Sequence, residues 1–584
     1  MGANVDNSDE IFATAYKEGK LLEVIHKQVR ENRDDLDSLI AELTRLHNHG
    51  DIDLIISFSL LKNEPNSQPD FFLMRRVLEK SLPALDAPIA ETMSCVINLV
   101  KEAGQDMAAG MVLPPFIDYC AANHLRPKEA IQLIETFPEK FANLLPQVII
   151  AGTRLDIELY LGEAIRFSNH SVIEIRRSSI FSLGGINYLE DERLIDKAIF
   201  CLEASVSRET DDLLLGHLIN STFNLWKQTK RYIERITHIV DKALSQGDNY
   251  ALHSGAVAFG FDTKELPDIL LDCLLSHLIR IKPENKGSLE YIDYGLAEII
   301  ANGNWRGVNF LENLLLANSE KLTIDTFDSV MHECFKNQNS ILSRIMTKWF
   351  IKGDRILCEA VRTIAGLAHE NNIQLEVEQS EIDCSTSILV IFLARKAVGY
   401  LFPTPVTAAS IIVSLIRCTS DNEIIQILVD LLFEPLLINY PGMVKDYLIK
   451  KSYDETDKVK ESLERALKNF DDYLGEIKSV GIIPELHPPQ SQQEAYHRHF
   501  SQLMADAMEN ARKDSVLLSL VSTSVLLYGR KSVDYVYNSD GQSNRMEIPL
   551  QVHSTELEFP RLVNIDPFGL DYMLRVFRAE QVNL

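Results

Sequence analysis

The chain has 584 residues, which is too many for one compact core and predicts several domains or one long array of repeats. Its formal charge of −26 (58 basic against 84 acidic residues) argues against a broad basic surface for phosphate backbones. That charge favours solubility or a cationic partner, and the hydrophobic share of 46% is ordinary for a folded chain.

The N-terminal region, residues 1–150, reads as helices separated by short breaks. A periodic stripe of Leu39, Ile40, Leu43 and Leu46 ends at Gly50, and prolines mark most later breaks. His47 and His49 stand at the end of that helix, where an imidazolium is favourable, and we expect no metal there. The acidic start of the chain lacks a signal-peptide apolar core.

Residues 151–375 carry a period. Segments typical of inner helices recur about every 40 residues, near Ile175, Gly216, His253, Asp293, Ser329 and Ala360. In 171–187 (SVIEIRRSSIFSLGGIN), small residues from Ser178 to Gly185 lie where a neighbouring helix can approach closely. The pattern predicts pairs of helices packed in series.

Two of these segments carry a resemblance to a known family. Ile175-Arg176, followed by small residues and Leu183-Gly184, resembles the second helix of a HEAT repeat, and the stretch from Ala360 to Leu367 is a weaker copy. The resemblance, to HEAT and armadillo proteins, covers about 150–370. It implies a curved stack of helical hairpins that recruits partners, and it carries over no catalytic residue. An unrelated all-helical fold is the alternative.

Residues 376–478 are predicted to be a further helical region, ending in an amphipathic helix over 454–478. The polar stretch 370–387, at the start of this region, is expected to be a loop with a short strand or an inter-domain connection. The run Ile388–Phe402 is interrupted by Arg395 and Lys396 before it reaches membrane-spanning length, so we expect a buried helix and no membrane association.

A proline-containing linker, 479–493, precedes a predicted C-terminal α+β module, 494–584. Period-two alternation at Val533, Tyr535 and Tyr537, and again from Met546 to Val552, predicts a β-hairpin turning at Asp540-Gly541. The sequence TELEFPRL adds a possible third strand, and Asp566-Pro567 opens a last helix. The module either caps the helical array or docks a partner.

No catalytic or cofactor motif is present: the P-loop, dinucleotide fingerprint, GxSxG and HExxH patterns are all missing. The strongest metal candidate, His497 and His499 with Glu494 and His487, has poor helical spacing, and the acids Glu376, Glu378, Glu381 and Asp383 read as a solvated loop. We therefore predict no metal and no cofactor. The eight cysteines lack CxxC spacing and read as buried thiols of a cytoplasmic protein.

The sequence thus predicts a mainly α, irregular HEAT-like α-solenoid with a small C-terminal α+β module, acting as a non-enzymatic scaffold for a protein partner. Its context is expected to be an accessory role in a bacterial antiviral defence system. The rivals are a nucleic-acid-binding repeat protein and an enzyme whose site is assembled from distant residues. The residues expected to contact a partner are Arg176, Arg177, Arg362, Arg530, Arg561 and Arg575. The alternative for Arg176, Arg177 and Arg362 is bonding to the adjacent repeat, and for the three arginines of the C-terminal module it is internal salt bridges.

Overall fold

A computed structural model of the protein describes residues 5–31, 36–64, 69–367, 373–483, 488–513, 531–537, 543–549 and 558–582. Within these ranges the chain is mainly α-helical. It divides into two compact units, Met1–Asn337 and Gln338–Leu584. These bounds differ from the predicted divisions after 150, 375 and 478. No described helix combines the length and the apolar character needed to cross a bilayer.

The first unit contains twenty α-helices among its described residues. They are α1 Val5–Lys17, α2 Leu21–Glu31, α3 Leu36–His49, α4 Leu54–Ser59, α5 Phe71–Ser81, α6 Ile89–Ala103, α7 Leu113–Ala121, α8 Arg126–Thr136, α9 Pro138–Phe141, α10 Leu145–Thr153, α11 Ile157–Phe167, α12 Ile173–Gly185, α13 Glu192–Arg208, α14 Asp212–Thr229, α15 Ile233–Gln246, α16 Asn249–Asp262, α17 Asp268–Leu278, α18 Lys286–Ala301, α19 Trp305–Ala317 and α20 Asp328–Lys336.

Aspartate side chains start many of these helices. The carboxylate at the N-cap accepts a backbone N–H from the first turn, which would otherwise have no partner. Five such caps occur among the described residues of the first unit, at Asp53, Asp70, Asp156, Asp191 and Asp211. At these five helices the aspartate before the apolar run therefore fixes where the helix begins.

The helices from α10 onward pack in two rows. In one row α10, α12, α14, α16, α18 and α20 each contact the next, and in the other α11, α13, α15 and α17 do so. The close approach predicted near Ser178–Gly185 is present: a Cβ added to Gly184 would lie 2.6 Å from the Cα of Ser221 on α14. At Gly260 it would lie 2.7 Å from the carbonyl oxygen of Tyr291 on α18. Helices in this row therefore touch backbone to backbone.

Polar contacts between successive helix pairs join residues separated by a limited range of sequence distance. Side-chain hydrogen bonds that join neighbouring pairs in the first unit connect residues between 31 and 46 positions apart. They begin with Asp9 and Arg45 and continue to Asp293, whose carboxylate accepts the N–H groups of Ser329 and Val330, both at 2.9 Å. The spacing found here starts well before residue 150, where the sequence showed no period.

The second unit contains the remaining elements. Its helices and strands are α21 Ser343–Lys352, α22 Arg355–Gly366, α23 Ser387–Leu401, α24 Pro405–Cys418, α25 Asn422–Leu431, α26 Met443–Asp454, α27 Asp457–Val480, α28 Gln490–Lys513, β1 Lys531–Tyr537, β2 Ser543–Pro549, α29 Leu562–Ile565 and α30 Pro567–Ala579. Within this unit α21, α23, α25 and α27 contact one another in series.

A non-helical segment, 373–378, lies between α21 and α24, and we call it the hydroxyl-bonded segment. The N–H groups of Leu375 and Val377 donate to Ser410 and Ser414 on α24, at 2.9 and 3.0 Å. Those of Glu376 and Glu378 donate to Ser343 and Thr347 on α21, at 3.3 and 3.0 Å. The described part of 370–387 therefore contains no strand, because helix hydroxyls take the place of a partner strand.

The predicted β-hairpin is present. β1 and β2 pair antiparallel from Lys531 opposite Pro549 to Tyr537 opposite Ser543. The predicted turn at Asp540-Gly541 and the continuation through Val552 lie outside the described residues. The third strand is wrong over 558–562, because Leu562 already begins α29. The N–H of Leu562 donates to the side chain of Asn439 at 2.9 Å.

The C-terminal helix α30 packs against α23 in the same unit. The ammonium of Lys396, fully buried on α23, donates to the carbonyl of Arg578 at 2.5 Å, and Arg395 pairs with Glu580 at 3.0 Å. The Glu558 carboxylate accepts the N–H groups of Gly442 and Met443, both at 2.7 Å. Residues 558–582 therefore form one body with the helical region predicted to precede a linker.

Candidate partner-binding surface

The helices α12, α14, α16 and α18 expose one face along their row. Solvent-facing positions on each helix recur three or four residues apart, as on α16 at Tyr250, His253, Val257 and Phe261. An unusual share of these positions holds ring side chains. We call this set the aromatic surface; it comprises Phe181, His217, Tyr250, His253, Phe261, Tyr291 and Tyr294.

Ring contacts bridge neighbouring helices across this surface. Phe181 on α12 meets His217 on α14 edge-on, with ring centroids 5.3 Å apart. Tyr291 on α18 contacts both His253 and Phe261 of α16, at 5.7 and 5.4 Å. Contacts of this kind hold the rings in place without removing them from solvent, so the surface is ordered before anything binds to it.

Several large rings remain exposed within the aromatic surface. Phe181 keeps 42% of its surface in solvent, Tyr250 60%, Phe261 70% and Tyr294 55%. A single exposed ring needs no explanation, but four exposed rings on three helices of one row are typical of an interaction site. Rigid aromatic side chains carry much of the binding energy in protein interfaces because ordering them costs little entropy.

Ion pairs flank the aromatic surface and join the same helices. Lys227 of α14 pairs with Asp262 at 2.7 Å, and Lys264, which follows α16, pairs with Glu298 of α18 at 3.3 Å. Lys230 likewise contacts Glu265. Each of these cations is thus neutralised by a carboxylate from the next helix pair.

Arg176 and Arg177, predicted to contact a partner or the adjacent repeat, both pair with acids after α13. Arg177 donates to the two carboxylate oxygens of Asp211, at 2.8 and 2.6 Å. Its hydrogen bonds hold the pKa of Asp211 below the usual range. Arg176 contacts Glu209 at 3.2 Å. The structure therefore supplies both arginines with partners inside the chain.

The other predicted arginines do not join this group. Arg362 on α22 contacts Glu359 at 3.2 Å, and Arg575 on α30 contacts Asp571 at 2.7 Å, each within its own helix. Arg561 is exposed just before α29, and its N–H donates to the carbonyl of Asn439. Arg530 lies outside the described residues. The predicted set is therefore divided between both units and forms no single patch among the described residues.

The histidines at the end of α3 differ in environment. His47 is buried and its Nδ1 accepts the N–H of Leu54 at 3.2 Å, whereas His49 is exposed. Burial lowers the pKa of His47 despite the nearby Asp53 carboxylate. The expectation of a favourable imidazolium at this helix end is therefore wrong for His47, because desolvation exceeds the helix-end attraction.

The acids of the predicted solvated loop are held by separate partners. Glu376 pairs with Arg417 at 3.0 Å and Glu381 with Arg344 at 2.5 Å. Asp383 accepts from Ser385 and Thr386, which lowers the pKa of its carboxyl. These separate contacts do not assemble the acids into a cation site.

The predicted histidine cluster falls only in part within the described residues. Glu494 on α28 accepts from Gln490 at 3.1 Å, and His497 lies against the ring of Tyr496. His487 and the side chain of His499 lie outside the description. No metal geometry is therefore established there.

A cavity lies where α12 and α14 end. Its lining includes Leu189, Glu190 and Tyr232, which adopt positive φ angles of 51°, 62° and 58°. Residues other than glycine seldom adopt positive φ angles. A group of such residues around one cavity is typical of binding regions. Its volume is about 750 Å³, large enough to accept side chains of a partner.

An apolar groove lies further toward the N-terminus, between α4, α6 and α8. Ile56, Leu60 and Phe137 line it and are all exposed, and Lys140 and Glu91 stand at its edge. It is a second apolar surface of the first unit, separate from the aromatic surface.

Comparison with protein-family models found no match for the chain, and comparison with curated protein sequences found none either. The geometry of the aromatic surface therefore has to carry the functional argument by itself.

Sequence reasoning missed the aromatic surface. Its residues are scattered over more than a hundred positions, and each helix contributes only one to three of them. The available signal was the approximate period, which would have aligned the outward positions of successive helices had it been applied to ring side chains.

Proposed function

We propose that the protein is a non-enzymatic scaffold that binds a protein partner on the aromatic surface of a HEAT-like stack of helical hairpins. The observation that carries the proposal is the set of exposed rings on α12, α16 and α18, with the half-buried His217 on the intervening α14, flanked by cations that already have carboxylate partners. An accessory role in a bacterial defence system stays a prediction.

The stacked arrangement is supported by two regularities of the first unit. Helices contact the helix two places along the chain, and polar bonds between pairs span 31 to 46 residues. Repeat arrays of two helices per unit have spacings in this range. Such arrays present one continuous surface built from equivalent helices, which suits recognition of an extended partner.

A protein partner fits this surface better than a nucleic acid. Binding to phosphates needs cations free to replace counterions. Here Arg176, Arg177, Lys227 and Lys264 each contact a carboxylate, and the whole chain carries a charge of −26. Exposed tyrosines and phenylalanines instead supply apolar area and hydroxyl groups for a polypeptide.

Site-specific photo-crosslinking tests the proposal. A benzophenone amino acid replaces Phe261 in the aromatic surface, and in a separate variant it replaces Phe200 on α13, in the other row of helices. Both phenylalanines are 70% exposed, so the two probes are matched in access to solvent. We expect light-dependent adducts with one defined protein from position 261 only.

Two results would contradict the proposal. Equal adducts from positions 261 and 200 would indicate non-specific contact. Retention of the purified chain on heparin at low salt, lost in a variant of the aromatic surface, would favour the nucleic-acid alternative.

A further inference from the structure

Asp241, Cys273 and His277 bring three different donor groups together on the other row of the first unit. Asp241 lies on α15, whereas Cys273 and His277 lie on α17. Their donor atoms all lie within 4.8 Å of one another, and Nε2 of His277 is 2.8 Å from a carboxylate oxygen of Asp241. We call these residues the thiol–imidazole cluster.

Local helix geometry explains why the cluster forms. Cys273 and His277 are four residues apart, so their side chains leave α17 on the same face. Asp241 precedes them by 32 and 36 positions, which is the separation found for polar contacts between successive helix pairs. The regular packing of α15 on α17 thus places the carboxylate opposite both α17 side chains.

The donor set matches a borderline metal ion. Thiolate, imidazole and carboxylate are the three ligand types that proteins use for zinc. A tetrahedral zinc ion with bonds of about 2.0–2.3 Å separates its ligand atoms by about 3.3–3.6 Å. Donor atoms within 4.8 Å of one another reach that arrangement through small side-chain movements.

The charges around the cluster also favour a cation. The nearby basic side chains have other partners, since Arg280 donates to the carbonyl of Leu244 and Lys242 to the hydroxyl of Ser207. A divalent cation would supply the positive charge that the acid and the thiol lack.

We propose that Asp241, Cys273 and His277 bind one zinc ion, which links α15 to α17 and leaves a fourth coordination position for water or a partner's ligand. On binding, the thiol of Cys273 loses its proton to solvent and its sulfur bonds to the metal, while His277 binds as neutral imidazole through Nε2. The ion replaces the direct contact between Asp241 and His277. This inference does not rest on the proposed scaffold function.

Cobalt(II) titration of the full chain tests the site, because a thiolate bound to cobalt gives a charge-transfer band in the near ultraviolet. We expect one equivalent of Co²⁺ to produce the band and Zn²⁺ to abolish it by displacement. Cys273→Ser should remove the band, and Asp241→Asn should weaken cobalt binding at least tenfold while keeping the band. Circular dichroism checks that both variants retain their helix content.

The control addresses a pair of half-buried thiols elsewhere in the chain. Cys384 and Cys418 are neighbours in the second unit, with a hydrogen bond between them, and they are a competing source of sulfur. The double variant Cys384→Ser/Cys418→Ser should keep the full band. Loss of the band in that variant, its persistence in Cys273→Ser, or a wild-type chain without a band would each overturn the proposal.

Discussion

Backbone N–H groups find partners differently in the row α12, α14, α16 and α18 and in the hydroxyl-bonded segment 373–378. In the row, hydrogen bonds within each helix satisfy the backbone, and helix starts receive side chains from the preceding pair, as where Asp293 accepts from Ser329 and Val330. In the segment, four successive N–H groups donate to hydroxyls of α21 and α24.

The two regions nevertheless have the same long-range spacing. Ser410 and Ser414 lie 35 and 37 residues from the N–H groups that they accept, and Asp293 lies 36 and 37 residues from its own. The comparison shows that a similar offset between layers persists where one layer is not a helix. The predictions that follow separate the cost of losing each kind of contact.

The largest effect is expected in the hydroxyl-bonded segment. The double variant Ser410→Ala/Ser414→Ala leaves the buried N–H groups of Leu375 and Val377 without acceptors, at about 2 kcal/mol each and about 4 kcal/mol in total. Hydrogen exchange of peptides covering 373–378 should accelerate strongly. Ser420→Ala, at an exposed position beyond α24, should leave exchange unchanged. Unchanged protection in the double variant would refute the assigned hydroxyl contacts.

The next largest effect is expected at the junction between α18 and α20. Asp293→Ala removes the buried acceptor of two N–H groups, and we expect a loss of about 3 kcal/mol in the free energy of unfolding of the first unit. The exposed Asp268, which pairs with Arg306, provides the control. Asp268→Ala should cost about 0.5 kcal/mol or less in the same urea titration. Equal losses would contradict the role given to Asp293.

A glycine pair tests the close approach of helices in the row. Gly184→Ala places a methyl group against the backbone of Ser221 and should destabilise the first unit by about 2 kcal/mol. At Gly162 on α11 no atom lies within 4 Å of an added Cβ, so Gly162→Ala should stabilise by about 0.5–1 kcal/mol. The measurement is thermal unfolding of both variants, and shifts of the same sign would argue against the packing.

The smallest effect concerns His47. Its pKa is lowered by burial, so the folded state holds fewer protons than the unfolded state as pH falls through the usual histidine range. Stability is therefore retained above about pH 6.5 and decreases below it. His47→Gln should remove that part of the pH dependence, about 1 kcal/mol or less, while His49→Gln should not. Denaturant titrations at about pH 7 and 5 measure the difference.

The predominance of helix was predictable because apolar residues recur with helical periodicity and polar caps precede them. The close approach at Gly184 was predictable from small residues alone. The hydroxyl-bonded segment was not, since Ser410 and Ser414 resemble any serines in an apolar helix until their partners are known. Over the described residues 558–562 the third strand is absent because Glu558 and Leu562 bond to the turn before α26, a contact made across more than a hundred residues; residues 555–557 lie outside the description.

The candidate surfaces were less predictable than the fold. Arg176 and Arg177 were predicted to contact a partner or the adjacent repeat, but the sequence could not identify Glu209 and Asp211 as the residues that pair with them. The thiol–imidazole cluster left a signal in the four-residue spacing of Cys273 and His277, yet the third donor comes from the preceding helix pair. To predict a site formed by two successive helix pairs, the sequence offset between those pairs must be known. One sequence gives that offset only approximately.

The affinity of the purified partner for two matched variants tests the central claim most directly. Phe261→Ala alters the aromatic surface, and Phe200→Ala removes an equally exposed ring from the other row. We predict that Phe261→Ala raises the Kd of the partner at least tenfold, whereas Phe200→Ala leaves it within about twofold of the wild-type value. Equal affinities for the two variants would contradict partner binding on the aromatic surface.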